Sequence, residues 1–426
     1  MGKHALLSPS GANKWVACAA APAAERDAPP DSINIYSAEG TAAHFLASEC
    51  LDQGGFALGD CKGLFIYVGN QVDGGEATWE PTEKGYSYKF PVTSDMVGHV
   101  DKYLASLKEF VGEDGLLMVE QRLNIEPITG EKDAGGTSDA IVIRGSELQV
   151  HDLKYGMKDV DAYENKQLLI YAAAALEEYG FMYEIDTVTL VIHQPRKFDN
   201  PSVHTMPIAE FELLVEPIKV AAAVALKVLD DDEDYMRFAF AGNHCSDSYC
   251  KARHDCPVLL REVQEATKEA GDFLEVTEAG LIDTTDDSFF HRLGELAAKV
   301  PMVEAWCKGI MSRVTEEVLV NGNKVPGFKA VMGKKGNRSW TSEEAFAEVV
   351  KGMRIKRETV FVEKPVSPAV LDTLKKDGVV TEDHWKRFQK VVTWADAKPT
   401  IAPASDKRPE VEVKKEDLSA GFDSID

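Results

Sequence analysis

The run from Gly136 to Lys154 constrains the fold more than any other part of the chain. GTSDAIVIR and ELQVHDLK are two β-rich stretches separated only by Gly145 and Ser146. So short a turn joins antiparallel strands and fixes their register. Upstream, Leu116–Ile125 alternates as a third strand. Downstream, Asp161–Tyr179, with its run of four alanines, is expected to be a helix, and Val188–His193 (VTLVIH) a buried strand stopped by Pro195. A long helix over Ala209–Leu229 closes the unit. Helices over Ser8–Ala20, Ala38–Leu51 and Met96–Val111 precede the sheet, with a Gly-rich, irregular stretch over residues 55–95. Helices and strands in this order make an α/β sandwich on a mixed sheet.

At 426 residues the chain is long enough for two or three domains. No apolar run approaches the roughly 20 residues a spanning helix needs. The opening MGKHALLSPSGANKW lacks the apolar core of a signal peptide, and Leu6 stands where myristoylation wants Ser or Thr. A cytoplasmic protein without a membrane partner is therefore expected. The net charge of -24 argues against a nucleic-acid coat, because phosphate binding is driven by Lys and Arg. A local basic track, and carboxylates that hold a metal, remain compatible with it. Acidic runs such as residues 230–234 read as solvated loop.

Asp139 lies in one strand of the hairpin and Asp152 at the end of the next, followed by Leu153 and Lys154. Two carboxylates and a backbone carbonyl suit Mg²⁺ or Mn²⁺. Strand alternation puts residues 152 and 154 on one face, so Lys154 can stand beside an ion that Asp152 holds. There an ammonium can position water or stabilise charge on a phosphoryl transition state. Gln167 and Tyr171 fall at i and i+4 of the following helix, on one face. His44 lies on a helix after Gly40, and Glu120 in the strand before Asp139.

In this order, GTAAH, GGTSDAIVI, VHDLKYG and QLLIY resemble the RecB-like branch of the PD-(D/E)XK nuclease superfamily, over roughly residues 1–260. The resemblance implies a restriction-endonuclease-like core, a mixed central sheet flanked by helices. It makes Asp139, Asp152, the Leu153 carbonyl and His44 metal ligands and Lys154 the catalytic lysine. Gln167 and Tyr171 would contact the DNA backbone or orient the site. Glu120, the weakest transfer, would help a second metal.

Seven cysteines in such a chain do not suggest a disulfide framework. Three cluster in HCSDSYCKARHDCP, as Cys245, Cys250 and Cys256, and Cys18 lies far upstream. Three thiolates need a fourth ligand to complete a [4Fe–4S] cluster or a tetrahedral Zn²⁺ site. The arrangement resembles the iron–sulfur staple of AddB-type helicase-nucleases, which pins the ends of the nuclease domain. The first spacing here is four residues where that family has two, and His244 or His254 could serve in a zinc site. Cys50, Cys61 and Cys307 read as ordinary thiols.

Residues 261–400 are expected to form a C-terminal α+β region, helical over 258–320 with a break at Pro301. A hairpin is expected over 321–340, then short helices at 341–352, 367–376 and 381–392. Residues 401–426 read as a polar, flexible tail. Lys334, Lys335 and Arg338 make a basic patch, and Trp340 would either stack a base or sit in this region's core. The whole chain resembles a phage- or prophage-borne family of RecB-like nucleases. The implied partners are linear DNA and its ends, and a phage single-strand annealing or recombination protein; oligomers are compatible with it. The leading function is a metal-dependent DNA exonuclease in phage recombination or replication. The alternatives are a non-catalytic DNA-end-binding or recombination-partner protein that keeps the fold, and an acidic DNA mimic.

Overall fold

A computed structural model describes the chain from Ala5 to Val411. The exceptions are residues 27, 29–33, 52–57, 70–76, 82–84, 231–234, 279–286, 334–337, 341–342, 352, 354, 356–359, 361–366, 377, 395–398 and 404–407. The chain divides into two compact units between Ile310 and Met311.

The first unit opens with short helical turns at Pro9–Gly11, Ala12–Trp15 and Ala21–Ala24, where one helix over Ser8–Ala20 is expected. Pro9 and Pro22 each stand in the first turn of a new segment, because a proline has no amide to continue the preceding one. Helix α1 (Ile35–Leu51) follows. Within the stretch expected to be irregular, β1 (Phe65–Val68) pairs antiparallel with both β2 (Ala77–Thr78) and β3 (Tyr88–Pro91). Helix α2 (Ser94–Val111) begins where the Thr93 hydroxyl accepts a hydrogen bond from the Met96 amide.

The central sheet has five strands, β4 (Leu116–Asn124), β5 (Gly135–Arg144), β6 (Glu147–Leu153), β7 (Thr187–His193) and β8 (Ser202–Pro207), in that spatial order. The tight turn at Gly145, with φ of 60°, makes β5 and β6 an antiparallel hairpin. Between β6 and β7 lies the one parallel pair of this sheet, connected across helix α3 (Lys166–Tyr179). The fold is thus α/β with a mixed sheet, as expected. The edge strand β8 is not legible in the sequence reading. Helix α4 (Ile208–Asp230) returns along the sheet and runs through Pro217.

Alternation along β5 and β6 feeds two cores. Ile141, Ile143, Leu148 and Val150 pack on the four small alanines of α3 and on α4. Ala140, Val142 and Leu153 face the other way, onto α1 and α2. Each fully buried Ile or Leu contributes about 1.5–3 kcal/mol, so a one-residue slip in register would cost both cores.

Helices α5 (Pro257–Glu278) and α6 (Asp287–Thr315) lie antiparallel. Phe273 stacks on Phe289 at 5.3 Å, Lys299 pairs with Glu269, and Met302 packs with Leu259, Val263 and Ala266. The expected break at Pro301 does not occur: the helix continues through it, with the ring on the exposed side where one missing amide bond is tolerated.

In the second unit come β9 (Phe328–Met332), β10 (Arg338–Trp340), α7 (Glu343–Val350), α8 (Pro368–Lys376), α9 (Glu382–Phe388), β11 (Val392–Trp394) and β12 (Pro399–Pro403). Among the described residues, the hairpin expected over 321–340 is not formed. Instead β9 pairs with β12 and β10 with β11, both antiparallel. The strand β12 thus runs into residues 401–403, where a polar, flexible tail is expected to begin, and Glu410 bridges Val331 beyond it. Phe346, Leu371, Trp385 and Phe388 form the core. Among the described residues, no helix is long and apolar enough to cross a membrane.

Candidate metal centre

The β5–β6 register sets Ala140 opposite His151, so one step further Asp139 and Asp152 come side by side at the end of the pair. On the other flank, β4 keeps register with β5 at Val119–Ala140 and Gln121–Ser138, which puts Glu120 across from Asp139. Glu120 has a φ of 48°, in the left-handed region where a side chain with a Cβ is strained. Helix α1 supplies His44 from above the sheet, its Nδ1 3.3 Å from Asp139 Oδ1. One ligand atom each from His44, Glu120 and Asp139 lies within 4.8 Å of the others. They line a small cleft with Ser48, Tyr103 and Leu153.

Hydrogen bonds hold the acidic groups in place. The Leu153 amide donates to Asp139 Oδ2 at 2.7 Å. Lys154 folds back along its own strand, its ammonium 3.0 Å from Asp152 Oδ1 and 2.9 Å from Oδ2. Gln167 closes the ring: its Oε1 accepts from Lys154 Nζ and its Nε2 donates to Asp152 Oδ1, both at 3.0 Å. Tyr171, one helical turn on, is buried and hydrogen-bonds Gln167. A Cβ at residue 136 would come within 2.8 Å of the Tyr171 ring, which is the physical reason for a glycine there. Asn165 caps this helix, its Oδ1 accepting from the Leu168 amide at 3.2 Å.

The electrostatics follow from this wiring. Burial drives the Asp139 carboxyl up, but His44 and the Leu153 amide outweigh it and hold it below the usual range. Burial lowers His44, yet Asp139 overcomes that and raises it to about 9. Although Glu120 as a whole residue is exposed, desolvation of its carboxylate in the cleft, with Asp139 next to it, pushes it up to about 7. Asp152 is raised by burial against the pull of Lys154.

The structure thus gathers His44, Asp139, Asp152, Lys154, Gln167 and Tyr171 into one site. It gives Glu120 a more central place than the sequence reading does, and no motif marks it. Gln167 touches both Lys154 and Asp152, and Tyr171 reaches them through Gln167. Also absent from the sequence reading is Arg196, which donates to Glu39 on α1 at 2.8 Å and to the Tyr155 carbonyl at 3.3 Å. It braces the helix carrying His44 against the strand end carrying Lys154.

The second cluster lies elsewhere in the same unit. Cys18, Cys245, Cys250 and Cys256 line one apolar pocket with Ala20, Ala21, Met236 and Phe240. The Glu25 carboxylate ties the N-terminal turns to the segment around Lys251, accepting from Lys14 Nζ at 2.7 Å and from the Lys251 amide at 2.7 Å. Burial raises the thiols of Cys18 and Cys245, and it raises Cys250 to about 12 with Glu25 adding to it. Among the described residues, no three of these sulfurs come within 4.8 Å of one another. The rings of His244 and His254 are engaged by the backbone carbonyls of Phe240 and Lys251. Cys50 and Cys61 hydrogen-bond each other, and Cys307 is exposed.

Of the basic patch, Lys334, Lys335 and the Arg338 side chain lie outside the described residues. Trp340 packs on Phe346 at 4.7 Å and on Phe388 at 6.0 Å, in the core of the second unit.

The family described as a protein of unknown function (DUF2800) matches residues 4–409. The chain belongs to that family.

Proposed function

We propose that this protein is a Mg²⁺- or Mn²⁺-dependent DNA nuclease of the PD-(D/E)XK type, RecB-like branch, acting on linear DNA as an exonuclease. The observation that carries the reading is the closed arrangement of Asp139, Asp152, Lys154 and Gln167 beside the His44–Glu120–Asp139 triad. The donor set fits a hard divalent cation. Three convergent ligand atoms face one cleft, and the neighbouring Asp152 carboxylate is buried beside it with the Lys154 ammonium 2.9 Å from its Oδ2. An ion held there would polarise a phosphodiester and lower the pKa of bound water.

The chain's own residues supply the rest. His44, Glu120 and Asp139 would hold the ion, with Asp152 adjoining. Gln167 and Tyr171 keep the Lys154 ammonium at the edge of the carboxylates, where negative charge develops during phosphoryl transfer. The test is the purified full chain with Mn²⁺ and end-labelled linear DNA. Degradation is expected from the wild type and not from Asp152→Ala or Lys154→Ala. Equal degradation by those variants overturns the assignment.

The four thiols facing one pocket support a [4Fe–4S] cluster as a staple between the two ends of the nuclease domain. Zinc is the less favoured occupant, because its tetrahedron at about 2.3 Å Zn–S draws sulfurs closer together than these lie. A brown anaerobic preparation with broad visible absorption is expected. A colourless protein with stoichiometric zinc reverses that choice.

A further inference from the structure

The turn that follows β7 places a cation beside the end of β6, where Lys154 stands. These two strands are the parallel pair of the central sheet, and the Lys154 amide donates to the His193 carbonyl at 2.8 Å. In open α/β sheets, ligands bind outside the carboxyl ends of such strands. The turn is tightly fastened. Buried Gln194 accepts from the Val160 amide at 3.0 Å and donates to the Lys158 carbonyl at 2.8 Å. Its own carbonyl accepts from the Lys197 and Phe198 amides, both at 2.9 Å. Arg196 is thereby fixed on three sides. Its Nη1 donates to Glu39 Oε2 and to the Tyr155 carbonyl, and its guanidinium carbon lies 4.8 Å from the centre of the Tyr155 ring.

Those contacts use one nitrogen of the three. Among the described residues, Nε and Nη2 of Arg196 donate to nothing, and the side chain keeps 28% of its surface in solvent. Their parallel N–H bonds form the fork that matches two oxygens of one phosphate. A brace between α1 and the strand end needs only the Glu39 edge. An arginine oriented in advance, with its two-pronged edge unfilled, is also ready for an anion. In a chain of net charge -24, contact with DNA depends on such local cations. We infer, on the nuclease reading of the neighbouring metal centre, that Nε and Nη2 of Arg196 hold a backbone phosphodiester of the bound DNA, next to the one that is cleaved. Glu39 and Tyr155 are positioning residues for that fork.

Fluorescence anisotropy with a short labelled duplex and the full chain in EDTA reads binding without cleavage. Arg196→Gln should weaken binding about tenfold at low salt, the share of one charge-assisted contact. The plot of log affinity against log salt should become shallower by about 0.9, the contribution of one phosphate. Arg196→Lys keeps the charge without the fork, so it should keep the slope and recover part of the affinity. Glu39→Gln leaves the guanidinium its full charge and should bind as tightly as the wild type or more tightly. If Arg196 were a brace alone, Glu39→Gln would weaken binding as Arg196→Gln does, and that result overturns the inference. An unchanged slope in Arg196→Gln overturns it too, as does a wild type that does not bind DNA. Degradation with Mn²⁺ is read separately. A chain that shows the slope change and degrades nothing keeps the phosphate contact and loses only the nuclease reading.

Discussion

The carboxylate site and the cysteine cavity belong to the same compact unit but are built by opposite means. Around Asp139 and Asp152, hydrogen bonds hold the groups before any ion arrives: a backbone amide, an imidazole, an ammonium and an amide side chain. Around Cys18 the walls are apolar and burial keeps the thiols protonated. The first is preorganised, so an ion entering it costs little rearrangement. The second becomes a strong tie only when something draws the protons off, because a bound metal or cluster couples its own binding energy to the fold.

That contrast predicts a clean separation of effects. Lys154→Met should lower the rate of DNA degradation by about 10²–10³-fold, the usual cost of removing one preorganised charge-stabilising donor. Its melting temperature should stay near wild type. Cys245→Ser should do the reverse, keeping the rate and lowering the melting temperature by several degrees, at about 2–4 °C per kcal/mol. Steady-state kinetics and calorimetry on both variants decide the matter. A cysteine variant that loses activity at full stability would break the comparison.

The pH dependence of Mn²⁺ binding sharpens it. An ion must displace the proton from His44, raised to about 9, and below about pH 7 from Glu120 as well. Both ligands bind in the deprotonated form, so affinity should climb as pH rises. The slope should approach tenfold per unit between pH 7 and 9, adding up to about 100-fold, then flatten above 9. Titration calorimetry at three pH values measures it. The sign for the metal-free fold is opposite. The His44–Asp139 pair contributes fully below pH 6.5, and its contribution is lost as pH rises through 9.

Gln167 tests the orienting layer. Gln167→Leu removes both the bond to Lys154 and the bond to Asp152 and should cost 10–100-fold in rate, as outer-shell changes at metal sites typically do. Tyr171→Phe, which loses only a hydroxyl bonded to Gln167, should cost less. Comparable losses from the two would mean that the tyrosine touches DNA directly.

The parts of this site that were legible in the sequence are those that local geometry fixes. Asp139, Asp152 and Lys154 sit on a hairpin whose two-residue turn sets the register, and Gln167 and Tyr171 follow from the helical period. The illegible parts depend on distant partners. Arg196 and Glu39 are 157 positions apart, and neither lies in a recognisable pattern. β9 finds β12 across some seventy residues, whereas the nearer Gly- and Lys-rich turn suggested a hairpin. Pro301 misled for another reason: a proline lacks one hydrogen bond, and on an exposed helix face that loss can be tolerated.

Glu120 is the case where the sequence was least able to speak, because nothing in LLMVEQRLN announces a left-handed residue. In an ordinary strand, alanine is more stable than glycine by roughly 0.5–1 kcal/mol, since glycine loses more backbone freedom on folding. With φ at 48° the order should invert, because alanine retains the Cβ that makes the conformation costly and glycine does not. Glu120→Gly should therefore be more stable than Glu120→Ala, by about 1 kcal/mol, while both lose Mn²⁺ affinity to the same degree. Denaturant melts of the two variants give the first comparison and calorimetry the second. Alanine proving the more stable would mean that the backbone carries no strain there. Inversion together with equal loss of metal would mean that the strand is bent at Glu120 in order to aim its carboxylate at His44 and Asp139.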